Sequence, residues 1–506
     1  MPHTETKIGL ARGTRDWLPA DFARLTALEE LLLDRFGRAG YARLRTPVLE
    51  PSELHERKSG AGIVSKLLSV SNGHHDDLCL RPELTASIVR AYTAAEPAPG
   101  LPWRVSASGP AFRHEKAPRE GQSREFTQVG VELIGAPGAM ADAEVIWLAD
   151  WSLREAGVPR PVIRVGHVGL ILEVLDRSGL PPAARVALVE MLSEAAAEGR
   201  DVRSLETALQ RLSDWARTGL GDEAGPPIGT DDRGVDRLFR QLVPAVTGRR
   251  EGHEVLGRLR RKWDLAHSLQ NVLDRIRGHI QELADLKGPA PVVLERLETW
   301  YRDLAPDSVA ALRSLVDLLR HHGVDSDRVE LDLGFGRGIG FYSRMIFELV
   351  APTSQGPVAV GGGGRYDGLA RIFGGDRDDH GVGFAFGLER LANVLTRTGD
   401  QTGPPVTLLV AASAESLPTA LGLAVALRED GHRVETYLNA GRPNTKEVDV
   451  AGHSLEERHR AFVVVGAMED HESISLAEIG KEGPTRCVSR EELTAFLRAL
   501  SAGKTQ

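Results

Sequence analysis

Apolar residues recur at helical spacing over 21–39, where Leu25, Leu28, Leu31, Leu32 and Leu33 make one stripe and Gly40 marks the stop. Residues 41–50 then read as a strand ending near Pro47 and Pro51. A second strand at 76–82 runs into Pro82-Glu83-Leu84-Thr85, which opens a helix through about Tyr92; proline is well tolerated where a helix begins. Residues 103–134 have the pattern of a β-hairpin, two arms around a charged turn containing Gly and Pro, and 140–155 return to helical spacing. From 171 to 325 Leu and Ala repeat at i, i+3, i+4 among Arg and Glu with few strand signals, which predicts a helical insertion, broken by the polar Gly/Pro/Asp-rich loop at 219–234. Strands return at 328–350 and 357–365, followed by a helix near Tyr366 and another over 387–396.

The segment Thr398-Gly399-Asp400-Gln401-Thr402-Gly403-Pro404-Pro405 is the clearest linker. Beyond it lie a strand at 406–411, a helix at 415–429, strands at 433–437 and 461–465, and a helix at 490–500. Alternating strands and helices there predict a small α/β domain. The chain as a whole is expected to be α+β, with a core in two parts, 1–170 and 326–397, a helical insertion at 171–325 and the C-terminal domain at 405–506.

Composition adds limits. A chain of 506 residues has ample length for a large core and for two to four domains. Its two cysteines, Cys79 and Cys487, are far apart and lack metal-ligand spacing, which argues against a disulfide framework or a zinc site and for a reducing cytoplasm. The N-terminus lacks an apolar secretory core, and no run of ~18 apolar residues suggests a membrane span. A net charge of −9 does not favour broad, non-specific binding to nucleic acid. A local basic face could still act within a Debye length of about 8–10 Å.

Chemistry concentrates in five segments. The hairpin from Phe112 to Glu132 carries Arg113, Glu115, Arg124 and Phe126, arginine forks for phosphate oxygens beside a ring suited to stacking on a base. Leu80-Arg81-Pro82-Glu83-Leu84-Thr85-Ala86 sets a carboxylate and a hydroxyl at a strand-to-helix junction, where free amides also face a ligand, although Glu in a first turn serves helix capping as well. Arg337 stands in the middle of the Gly-rich stretch Leu333–Gly340, which runs on through Phe341 and Tyr342. Gly361-Gly362-Gly363-Gly364-Arg365-Tyr366-Asp367-Gly368 lacks the Lys-Ser/Thr ending of a phosphate loop, and Gly387-Leu388-Glu389-Arg390 enters the last helix of the core.

Taken in order, these segments resemble histidyl-tRNA synthetases of class II: the Gly-Thr-Arg-Asp opening at Gly13, Arg-Pro-Glu-x-Thr-Ala, the motif 2 hairpin, the Arg-Gly-x-x-x-Tyr loop, Gly-Gly-Arg-Tyr-Asp-Gly, and Gly-Leu-Glu-Arg of motif 3. The resemblance implies an antiparallel sheet flanked by helices, histidine and ATP as substrates with Mg²⁺ bridging phosphates, tRNA(His) as acceptor, and a homodimer. It implies ATP-site roles for Arg113, Glu115, Arg124, Phe126 and Arg390, with Arg113 on the α-phosphate, Phe126 on adenine and Arg390 on the γ-phosphate. Glu83, Thr85, Gln128, Glu132, Tyr342 and Tyr366 would line the histidine pocket, and Arg337 would be the catalytic arginine beside the substrate carboxylate. Carboxylates, an amide and phenols suit a ligand with an ammonium and two ring nitrogens.

Three positions depart from the family pattern. Gly340-Phe341 stands where Asp-Tyr is usual, Gln122 where an arginine is frequent, and Arg442-Pro443-Asn444-Thr445-Lys446-Glu447-Val448-Asp449 where a lysine-rich helix start is expected. Val165-Gly166-His167-Val168-Gly169-Leu170 looks like a paralogue, the regulatory subunit of ATP phosphoribosyltransferase, whose partner is the catalytic subunit of that enzyme. Histidine sensing is therefore the alternative expectation, and a ligase with another acceptor is a third.

Overall fold

The computed structural model describes residues 8–59, 66–70, 77–114, 123–179, 272, 274–334, 342–377, 379–396, 406–411, 416–432, 434–437, 459–465, 473–478 and 486–501. The chain divides into two compact units, one of residues 1–17 and 25–398 and the other of residues 18–24 and 399–506.

In the larger unit the strands are β1 (Ala42–Arg43), β2 (Leu49–Pro51), β3 (Leu68–Val70), β4 (Leu78–Leu80), β5 (Trp103–Phe112), β6 (Glu125–Ile134), β7 (Val162–His167), β8 (Lys287–Pro289), β9 (Val329–Asp332), β10 (Met345–Ala351), β11 (Val358–Arg365) and β12 (Gly381–Gly387). The labelled helices are α1 (Pro19–Arg38), α2 (Ser52–Ser59), α3 (Thr85–Ala94), α4 (Gly138–Glu155), α5 (Val168–Arg177), α6 (Ala290–Trp300), α7 (Pro306–His321), α8 (Leu369–Ile372) and α9 (Leu388–Thr396). Nine strands form one sheet in the order β1-β5-β6-β12-β11-β10-β7-β9-β8, and β2-β4-β3 form a small second sheet. The large sheet is antiparallel except where β1 joins β5 and β7 joins β9. The predicted hairpin is its longest pairing, in register from Trp103 opposite Ile134 to Phe112 opposite Glu125.

Alternation along each strand sends successive side chains to opposite faces. Val129, Val131 and Leu133 of β6, Val382, Phe384 and Phe386 of β12, and Met345, Phe347 and Leu349 of β10 share one face and one buried core. Leu25, Leu28, Leu32 and Phe36 of α1, with the inner sides of α4 and α7, complete that core. Each such side chain, fully buried, contributes about 1.5–3 kcal/mol relative to exposure.

Two details differ from the sequence expectation. The strand read over 41–50 is two short strands in different sheets. Pro47 cannot donate to a ladder, and between the strands the buried Arg81 guanidinium donates to the Thr46 carbonyl at 3.0 Å, the Thr46 hydroxyl at 2.9 Å and the Pro47 carbonyl at 3.2 Å. Within 171–325, read as one helical insertion, β8 is an edge strand of the large sheet and α7 packs in its core. A helix covering a sheet and a helix of a separate insertion have the same 3.6-residue period, so the pattern does not part them. Residues 180–271 lie outside the described residues.

The smaller unit holds β13 (Val406–Ala411), β14 (Val434–Tyr437), β15 (His459–Val465), β16 (Ile474–Glu478) and β17 (Arg486–Cys487), with α10 (Leu417–Glu429) and α11 (Arg490–Ser501). The sheet order is β14-β13-β15-β16-β17, parallel for the first three strands and antiparallel for the last two. Its core joins Leu409, Leu423, Leu427, Val463, Val465, Leu476, Leu493 and Leu497. Strands β16 and β17 were not anticipated from sequence. Among the described residues no helix is long and apolar enough to cross a membrane.

Candidate functional site

The face of the large sheet opposite the helix-packed core is paved with small residues. Gly381, Gly383, Ala385 and Gly387 of β12 lie on it, beside Gln128, Gly130 and Glu132 of β6, with Gly383 directly opposite Glu132. A Cβ on Gly383 would collide with the Glu132 carboxylate, and one on Gly364 would come within 2.9 Å of the Tyr342 ring. The glycines of this stretch are therefore floor: their lack of a side chain makes room for an acid and a phenol.

Glu132 is the centre of the patch. It is 3% exposed. Burial pushes its carboxyl up to about 7 although the Thr85 hydroxyl and Tyr366 donate to it, and the nearby Glu83 charge raises it further. Tyr366, buried at the end of β11, donates its hydroxyl to Glu132 Oε2. Its own pKa is raised well above the ordinary value, first by burial and then by the charge and the hydrogen bond of Glu132, with the Glu83 charge adding to them. Tyr342 packs beside Tyr366 and between two small apolar clusters, one with Val89 and Ile134, the other with Val168 and Ile346.

Glu83 sits at the head of α3. Its carboxylate accepts the Thr85 amide at 2.7 Å and the Ala86 amide at 3.0 Å, so it does cap the helix. It also contacts the ammonium of Lys58, 3.0 Å away on α2. Burial by itself would raise its carboxyl, but the Lys58 charge and the adjacent His55 hold it down at about 2. Gln128 accepts the Leu84 amide at 3.0 Å, which ties the same junction to β6. The predicted helix start at Pro82 thus falls at Thr85, because the first amides are taken by Glu83.

The phosphate-type residues gather at the turn end of the hairpin. The Arg113 guanidinium lies 5.1 Å over the Phe126 ring and donates to the Pro82 carbonyl at 3.2 Å. Arg113 and Arg124 face each other across the hairpin through a 2.9 Å backbone bond. Arg390, exposed in the first turn of α9, donates to the Ala359 carbonyl at 3.2 Å. Its neighbour Glu389 accepts the Thr127 amide on both oxygens, at 2.8 and 3.0 Å, and burial raises its carboxyl. Asp367 is 3.0 Å from Arg365, which Asp142 also holds inside the core.

Glu83, Thr85, Gln128, Glu132, Tyr342 and Tyr366 are therefore one connected patch, with Arg113, Phe126 and Arg390 near its hairpin end. Glu115, Arg337, Gly340-Phe341, Gln122 and Arg442–Asp449 lie outside the described residues. Sequence reading missed Lys58, His55 and Glu389 as members of the site. Lys58 is 25 residues from Glu83, and only the packing of α2 against α3 brings them together.

Relatives of known name match most of the chain. A family profile described as histidyl-tRNA synthetase matches residues 13–220 and 231–391. The histidine–tRNA ligase of Pyrococcus horikoshii is 30% identical over 92% of this chain and 96% of its own length. That of Archaeoglobus fulgidus is 31% identical over 89% of this chain and 88% of its own. Among solved structures, a histidyl-tRNA synthetase from a Nostoc species superposes with a TM-score of 0.66 at 17% identity, covering 98% of this chain and 99% of that one. A Bacillus halodurans protein titled ATP phosphoribosyltransferase regulatory subunit/histidyl-tRNA synthetase gives 0.61 at 20% identity, covering 89% and 97%. At those identities the structures speak for the fold and the sequence relatives for the family. With the class II-type sheet and the motif residues gathered on its glycine-paved face, the chain belongs to the histidyl-tRNA synthetase family.

Proposed function

We propose that the protein is a histidine–tRNA ligase. It activates histidine with ATP to histidyl-adenylate and transfers the histidyl group to tRNA(His). The observation that carries this reading is the convergence of two acids, two phenols, a hydroxyl and an amide on one sheet face beside an Arg–Phe pair.

In this reading the histidine lies over Gly383. Glu83 faces the ammonium. Glu132, poised near neutrality, can accept from one ring nitrogen or donate to the other, because a neutral imidazole offers one of each. Tyr342, Tyr366, Thr85 and Gln128 complete the wall. A site of this kind rejects analogues that leave buried polar groups unpaired. A base stacking on Phe126 shares the ring with Arg113, whose charge serves the α-phosphate, while Arg390 takes the γ-phosphate. Glu115, Arg124 and Arg337 keep the roles the resemblance implies. The histidine carboxylate oxygen forms a bond to the α-phosphorus as the bond to the pyrophosphate oxygen breaks, and pyrophosphate leaves with the electron pair. No side chain has to take a proton, so positioning and charge stabilisation are the protein's part.

Among the described residues no three His, Cys, Asp or Glu side chains gather as a metal cage. Mg²⁺ characteristically keeps several waters and binds through substrate phosphates with one or two carboxylates, a donor set this face can supply together with the nucleotide. We assign 405–506 as the anticodon-binding-like domain, 171–325 as the stretch containing the insertion, and a homodimer as the working form. Exposed Leu18, Phe22 and Met140 are apolar surface that such an assembly would cover. Two free thiols, one buried and one exposed, fit a cytoplasmic setting.

Histidine-dependent ATP–pyrophosphate exchange tests the proposal, with the other amino acids as controls, followed by charging of tRNA. Exchange with histidine alone and histidyl-tRNA formation are expected. Histidine binding without exchange would instead support the regulatory-subunit reading, with the ATP phosphoribosyltransferase catalytic subunit as partner.

A further inference from the structure

Lys58 is a cation that the motif reading does not account for. It stands in the last turn of α2, is 5% exposed, and its ammonium lies 3.0 Å from Glu83 Oε1. One turn earlier on the same helix, His55 is 1% exposed with its Nδ1 3.8 Å from that oxygen, and neither ring nitrogen has a hydrogen-bond partner among the described residues. Burial lowers the His55 pKa against the Glu83 charge, which raises it, and the Lys58 charge lowers it further, so the Lys58 ammonium is the fixed positive charge on this side of Glu83. The other groups facing Glu83 are Arg81 behind it and Glu132 and Tyr366 across the site.

A carboxylate offers about four lone-pair directions. On Glu83 the Thr85 amide, the Ala86 amide and Lys58 account for three. Among the described residues, the remaining direction is the one available to a substrate ammonium. We propose that Lys58 is a positioning residue of the amino-acid site, which orients Glu83 and keeps it ionised so that a single acceptor direction is presented to the ammonium of histidine. This rests on the ligase reading, but it concerns ligand binding and is tested apart from turnover.

The experiment is histidine binding by calorimetry and histidine-dependent exchange on the full chain, for the wild type, Lys58→Met and Lys58→Arg, between pH 5 and 8. Methionine matches the buried stem without the charge. Lys58→Met is expected to weaken histidine binding by about tenfold or more, the scale of one charge-assisted hydrogen bond. The KM for ATP should stay unchanged. The acid limb of histidine binding should move to higher pH, since burial raises the carboxyl once the cation is gone. Lys58→Arg should restore both. Unchanged or tighter histidine binding in a folded Lys58→Met protein, with the acid limb in place, would overturn the proposal. So would a loss that Lys58→Arg does not restore, which would make Lys58 structural. Wild type that binds histidine without exchange would refute the ligase reading alone and leave this comparison readable in the binding data. Wild type that binds no histidine would end both.

Discussion

The two faces of the nine-stranded sheet are built from the same strands and obey opposite rules. On β12, Val382, Phe384 and Phe386 enter the helix-packed core, while the intervening Gly383 and Ala385 lie on the other face. On β6, Val129, Val131 and Leu133 go to the core and Gln128 and Glu132 to the site. One face gains stability by filling space and the other gains function by leaving it. The acids of the open face remain buried, which is why Glu132 and Glu83 depart so far from ordinary carboxyls, in opposite directions. Glu132 meets hydroxyl donors and a neighbouring negative charge, whereas Glu83 meets a helix terminus and an ammonium.

The contrast breaks most easily on the packed face. Phe384 touches the rings of Phe36, Phe347 and Phe386. Phe384→Ala is expected to cost about 3–5 kcal/mol in denaturant unfolding, the usual penalty for emptying a buried aromatic site. A loss below about 1 kcal/mol would mean that this face is not the core.

On the open face the expectation reverses. Glu132→Gln should weaken histidine binding by about tenfold or more, the cost of losing a charge-assisted partner, while leaving stability at pH 8 unchanged or raised. Calorimetry and thermal melting of one sample separate the two effects, and a large loss of stability with intact binding would contradict the division of labour.

A smaller effect is expected with pH. Because the folded-state carboxyl of Glu132 is raised from 4.5 to about 7, the native state holds a proton there that the unfolded chain has released, so stability falls as pH rises through that window. Glu83 behaves in the other sense. Held at about 2, it contributes stability that is present above 4.5 and lost as pH falls toward 2. Melting temperatures between pH 4.5 and 7 should therefore decline less in Glu132→Gln than in the wild type. Parallel curves would show that Glu132 titrates normally.

The smallest change is expected from Tyr366→Phe. It removes one donor to Glu132 while the Thr85 hydroxyl still donates, a net cost of about 0.5–1.5 kcal/mol. It should also move the Glu132 titration upward, seen as a shift in the pH profile of histidine binding; an unmoved profile would remove Tyr366 from the acid's environment.

Much of this was legible beforehand. The hairpin itself and the chain order of the motifs follow from local patterns, because alternation and turn chemistry act over a few residues. The head of α3 was read less well. Glu83 was weighed as either ligand or cap, and the structure makes it a cap while also placing it in the candidate pocket. The single strand expected over 41–50 failed for a reason remote in sequence, the Arg81 guanidinium that binds Thr46 and Pro47. Within 171–325, β8 and α7 belong to the large sheet and its core, which helical period alone does not reveal because it does not say what a helix covers.

The ordered motifs of the chain determined its family, and the resemblance they carry named Glu83, Thr85, Gln128, Glu132, Tyr342 and Tyr366 as candidates. The tertiary structure alone decided their electrostatics. Whether Glu132 is neutral or charged, whether Glu83 has a spare lone pair, and that a lysine from another helix stands behind it depend on burial and on contacts between residues 25 to 234 positions apart. Desolvation and ion pairing are properties of distance in space, which local sequence does not encode.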